Sequence, residues 1–91
     1  MSNADIVAAA IGRCVTAKVR AKLTRRGAGS AASVDAFGNR DHLFGLLRNW
    51  TQRGDAPELT TLAKLADALG CDLPDLVPTR AEVLAEMAVR R

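Results

Sequence analysis

The chain has no tyrosine, one tryptophan, two phenylalanines and one histidine in 91 residues. Aromatic rings therefore cannot build its core, and leucine, valine and isoleucine must. Much of the 48% hydrophobic content is alanine, a strong helix former but a thin core filler. No stretch approaches the roughly 18 consecutive apolar residues that span a bilayer, which excludes a transmembrane helix. The start, Asp5 followed by Ile6 to Ile11, lacks the charged opening of a signal peptide, so a cytoplasmic protein is expected. Cys14 and Cys71 stand alone without a CxxC. They are expected as buried or semi-buried small hydrophobes in a reducing cytoplasm, not as a disulfide or metal site. A single histidine and scattered serines form no nucleophile–base pair, and His42 has no partner for a metal. Gly27-Ala28-Gly29 follows no strand and is expected as a turn between helices, not a phosphate loop. No catalytic residue, cofactor or metal is expected, and the chain is read as a non-enzyme.

What is present is unevenly placed. The net charge is only +3, yet no acidic residue occurs from Ile6 to Val34, where Arg13, Lys18, Arg20, Lys22, Arg25 and Arg26 stand. From Ala56 to Thr79 the balance reverses, with Glu58, Asp67, Asp72 and Asp75 against Lys64. A basic pole of this kind suits a polyanion.

Apolar spacing is helical throughout, with no strand alternation and no internal repeat. Val7, Ile11, Val15, Val19 and Leu23 recur every four residues, predicting a first helix from a Ser2-Asn3 cap to Arg26. Gly27 to Ser30 then supplies a stop and a fresh N-cap serine. A short helix from Ala31 to Phe37 would bury Val34 and Phe37, and Gly38-Asn39 would turn the chain. A third helix is expected from about Asp41 to Trp50 or slightly beyond, with Leu43, Leu47 and Trp50 inward, Phe44 widening the stripe, and Asp41 as its cap. Pro57 suits the first turn of a fourth helix whose stripe is Leu59, Leu62, Leu65, Ala66 and Leu69, stopped by Gly70. Cys71 to Val77 is expected as a one- to two-turn helix capped by Asp72. Thr79-Arg80-Ala81-Glu82 has capping-box form and should start a last helix to about Val89. The expected core comprises Leu23, Phe37, Phe44, Leu47, Leu59, Leu62, Leu65, Leu69, Leu73 and Leu76.

The segment Pro57-Glu58-Leu59-Thr60-Thr61-Leu62-Ala63-Lys64-Leu65-Ala66-Asp67-Ala68-Leu69-Gly70, with Asp72-Leu73-Pro74-Asp75-Leu76 after it, resembles the last two helices of lambda-repressor/Cro-like (XRE-type) domains. Val19 to Arg26 is similar to the end of that family's first helix, and Gly38 falls at its turn glycine. Phe44 and Leu47 match two inward positions of its recognition helix. The resemblance covers roughly Ile11 to Val77. Ser33-Val34 stands where the family carries a Leu-Ala pair, and its second-helix glutamine is absent. A competing register aligns Trp50 with the second inward position and moves the turn toward Asp41. The resemblance implies an all-α, five-helix helix-turn-helix domain over residues 11–78, here with an N-terminal extension (1–10) and an extra C-terminal helix (79–91).

It also implies a sequence-specific double-stranded DNA-binding regulator, of repressor type, reading the major groove with the helix at about 41–52. Base readout needs short or hydrogen-bonding side chains on one outer face, with cations around them. Arg40, His42, Gly45, Asn49 and Gln52 fill the first role. Lys22, Arg25, Arg26, Ser30, Arg48 and Arg53 are the phosphate-contacting candidates; the competing register makes Arg48 the central reader instead of His42. Apolar residues left over at the two ends predict a homodimer through Val83, Leu84 and Met87, with Ile6 and Val7 second. The alternative is that these segments pack back on their own domain. A different class of function on the same fold is a protein-interaction module, an antitoxin or a phage-encoded inhibitor of a host factor.

Overall fold

The computed structural model describes residues 3–23 and 27–89. Its elements are α1 (Asn3–Lys22), α2 (Ala28–Phe37), α3 (His42–Arg48) running into a π-helical turn (Asn49–Arg53), α4 (Leu59–Leu69), a 3-10 turn (Leu73–Asp75) and α5 (Arg80–Val89). No strand occurs among the described residues, so the all-helical expectation holds. α2 packs on both α3 and α4, while α1 packs on the π-helical turn and on α5.

The four-residue stripe on α1 explains its two-sided packing. Each step of four advances about 40° around a helix of 3.6 residues per turn, so the stripe spirals. Val15 and Val19 at its middle are fully buried, whereas Val7 at its start has left the core and is exposed. Residues 3–10 continue α1 without a break. Ala10, also fully buried, shows that small residues too are enclosed along α1. The core proper is Val15, Val19, Leu43, Leu47, Trp50, Leu62, Leu65 and Leu76, with Ala32 and Ala66 between them.

Leu47, Leu62, Leu65 and Leu76 are buried as expected, and Leu23, Phe37, Leu69 and Leu73 are partly buried against them. Two expected core residues are not. Leu59 is 67% exposed, because it is the first residue of α4 after an extended Glu58 and lies beyond the end of its own stripe. Phe44 is 43% exposed; it sits about 100° around the helix from Leu43, and Leu43, Leu47 and Trp50 already fill the inward side. Val34 is likewise exposed, with the neighbouring Ser33 turned inward in its place.

Several boundaries move. α1 ends at Lys22 with Leu23 outside it, and the Ser2 cap and the expected end at Arg26 fall outside the described residues. α2 begins at Ala28 behind Gly27, so Ser30 lies within its first turn and is not its N-cap. Asp41 occupies the N-cap position of α3 with no side-chain hydrogen bond. Pro57 precedes α4, whose N-cap is Glu58. The expected helix at 71–77 is a single 3-10 turn, closed by the Asp75 carboxylate accepting from the Asp72 N–H at 3.0 Å. The capping box of α5 is present: the Thr79 N–H donates to Glu82 (2.9 Å) and the Glu82 N–H to the Thr79 hydroxyl (3.2 Å). Cys14 and Cys71 are free thiols, half-buried, within the expected range.

Candidate nucleic-acid interface

The α2–turn–α3 unit is held by one buried hydroxyl. Ser33, fully enclosed, donates to the Asn39 carbonyl at 2.5 Å and accepts from the Leu43 N–H at 2.9 Å. It thus ties α2 to both the turn and the first turn of α3. Gly38 lets the chain reverse: at φ 69° it adopts the left-handed conformation, and its N–H closes on the Val34 carbonyl, a geometry that costs other residues a steric penalty. The Asn39 side chain then accepts from the Asp41 N–H at 2.9 Å, setting the entry to α3.

α3 keeps Leu43 and Leu47 inside and passes Trp50, only 3% exposed, to the core from the π-helical turn. The turn is wide for identifiable reasons. The Thr51 hydroxyl lies 2.8 Å from the Leu47 carbonyl and 3.3 Å from that of Arg48, competing with the ordinary ladder. The Gly54 N–H caps the Asn49 carbonyl. The Trp50 and Asp55 carbonyls press against α1 at Gly12, where an added Cβ would lie 2.5 Å from one and 2.9 Å from the other. Only glycine admits that approach.

Of the base-contacting candidates, Arg40, His42 and Gln52 are exposed, and Gly45 faces open space. His42 does not project freely, since its ring lies 4.6 Å from that of Phe37, tilted by 37°. Asn49 is less exposed than Arg40, His42 and Gln52. It is half-buried and lines a cleft of about 420 Å³ with Leu46, Trp50, Asp55, Glu58 and Thr61. Its backbone is still α-helical and its N–H bonds the Gly45 carbonyl, so it keeps its place one turn after Gly45, on the side of the row next to Leu46. Among the phosphate-contacting candidates, Lys22, Arg48 and Arg53 are exposed and Ser30 is half-buried in α2; Arg25 and Arg26 lie outside the described residues. No ion pair between described residues engages Arg40, Arg48 or Arg53. The chain reverses at Gly38, and Leu43, Leu47 and Trp50 all point inward as their spacing predicts.

The basic face of α1 is less free than its charge suggests. Arg13 pairs with Glu86 (2.5 Å) and Lys18 with Glu82 (2.8 Å), both across to α5. The Glu82 carboxyl is held down at about 2, first by its hydrogen bond to Lys18 and then by the Thr79 N–H. Burial first, and then the Glu86 and Glu82 carboxylates, push the Cys14 thiol up. Sequence reasoning missed Ser33, treated there as a departure from an apolar pair, and Gly12. The one available signal was chemical: each is a residue without bulk inside an otherwise apolar helical face.

Among the described residues no group of three or more His, Cys, Asp or Glu could hold a metal ion, and no helix is long and apolar enough to cross a membrane. Compared with protein families, curated proteins and solved structures, the chain finds no match.

Proposed function

We propose that this chain is a sequence-specific double-stranded DNA-binding regulator of repressor type, a non-catalytic cytoplasmic protein on a lambda-repressor/Cro-like helix-turn-helix scaffold. One observation carries the reading. α3 is tied to α2 through Ser33 and buries Leu43 and Leu47, while Arg40 before it, His42 and Arg48 on it, and Gln52 and Arg53 in the π-helical turn are exposed, the three arginines in no ion pair among the described residues. A rigid helix with donors outside and leucines inside is what a major groove accepts. The test is selection of bound duplexes from random DNA, followed by gel shifts across salt. A single enriched motif bound with a steep salt dependence is expected; recovery of no motif, with no shift at low salt, overturns the reading.

The regulator is proposed to act as a homodimer on half-sites about 34 Å apart. α5 packs on α1 of its own chain, yet Val83, Leu84 and Met87 still line an open apolar groove of about 410 Å³ with Val7 and Ile11. Light scattering at high concentration, with and without DNA, tests this; a monomer in both removes it. A second reading, an interaction module binding a toxin or a host factor, is favoured by exposed Phe44, an apolar ring on the helix assigned to DNA.

A further inference from the structure

α5 is attached differently from every other helix. Its first turn is closed by its own capping box, Thr79 with Glu82, and so needs nothing from the core to start. It has no fully buried residue, whereas each of the other four α-helices buries at least two. Its main packing partner is α1, and it meets α1 where that helix offers Cys14, Ala17 and Ala21. Those side chains are small, and the bulkier Val7 and Ile11 of α1 stand with Val83, Leu84 and Met87 of α5 at an open groove. A cleft of about 460 Å³ lies on one side of α5 and the groove of about 410 Å³ on the other. Charge is added to this packing: Arg13 and Lys18 of α1 each hold a carboxylate of α5, Glu86 and Glu82, one helical turn apart.

We propose that α5 is a detachable strap, which leaves α1 and returns as one unit while α1 to α4 stay packed, with the Arg13–Glu86 and Lys18–Glu82 pairs as its clasp. Opening uncovers no fully buried side chain of α5, and an element without a buried anchor is one that can open locally instead of with the whole fold. It leaves Arg13 and Lys18 without their carboxylates and bares Cys14, so the opened α1 presents these two cations together with Arg20 and Lys22. The strap is thereby sensitive to ionic strength, since partly exposed pairs are screened by salt.

Amide hydrogen exchange on the full chain, read residue by residue at fixed pH, tests the strap. A ten-residue helix is marginal once detached, so undocking exposes its amides. Leu84 to Met87 are expected to exchange together and far faster than Val19 and Leu65, with one shared denaturant slope that is shallower than that of Leu65. The double variant Glu82→Gln/Glu86→Gln should speed exchange in α5 by roughly tenfold and leave Val19 and Leu65 unchanged. Glutamine at 82 preserves the capping box, which isolates the clasp from the cap. Added salt should speed α5 exchange in the parent chain and not in the variant. Exchange of α5 at the rate and denaturant dependence of Leu65 overturns the proposal, as does a double variant whose α5 exchanges like the parent's.

Discussion

Ser33 shows how much one small side chain can decide. Its hydroxyl is the polar link between α2 and α3, so Ser33→Ala leaves the buried Leu43 N–H and the Asn39 carbonyl short of a partner. The expected loss is about 1–3 kcal/mol, measured by urea unfolding. A loss within error of zero would mean that water replaces the hydroxyl and the link is dispensable. Leu65→Ala probes ordinary packing: the side chain is fully buried, and its loss should cost roughly 2–5 kcal/mol. Gly12→Ala acts by overlap instead, because the new methyl would stand against two backbone carbonyls. It is expected to destabilise by about 1–3 kcal/mol, while Gly45→Ala, facing open space, should not destabilise the fold. These residues also mark the limit of legibility. Periodicity finds a leucine that must be inside, as it found Leu62 and Leu65. It says nothing about a serine or glycine whose value lies in which carbonyl it meets.

Helices were legible where spacing, a stop and bulk agreed. α4 has all three and appears close to where expected, ending at Gly70. The π-helical turn was invisible because Asn49 to Arg53 keep a helical spacing, and the widening comes from Thr51 and from contact with Gly12. The docking of α5 was legible only as an open choice, since its apolar residues are the same whether they meet α1 or another chain. Its ion pairs make a prediction that packing would not. Glu82 has a folded value near 2 against an ordinary 4.5, so its contribution is full above about pH 4.5 and is lost as pH falls toward 2. Lys18 faces it from α1, with Arg13, Cys14 and Glu86 nearby. Thermal midpoints of the parent and Glu82→Gln should therefore differ near neutrality and converge between pH 4.5 and pH 2. A gap that stays constant through that range would show that the carboxylate charge contributes nothing.

At the scale of the whole molecule, charge and shape divide the surface. Glu82 and Glu86 neutralise part of α1 at the α5 seam, Asp55 and Glu58 make the cleft behind α3 acidic, and Arg40, Arg48 and Arg53 remain unpaired among the described residues on the α3 side. The side proposed to face DNA is thus narrower than the sequence implied, and the two arms of the proposed readout can be separated. Arg48→Ala and Arg53→Ala should weaken binding to the selected duplex and to random duplexes alike, each lowering the salt slope by about one unit. His42→Ala should instead cost about 1–3 kcal/mol on the selected duplex and relax preference at one base pair, because its ring is exposed at the start of α3. Asn49→Ala should change the ratio of selected to random binding less than His42→Ala does, since Asn49 is half-buried toward the acidic cleft. Gel shifts of these four variants on both duplexes at two salt concentrations give every quantity needed. If His42→Ala, Asn49→Ala and Arg48→Ala all leave that ratio unchanged, α3 does not read bases. The exposed Phe44 then becomes the centre of the surface, and the interaction-module reading replaces the regulator.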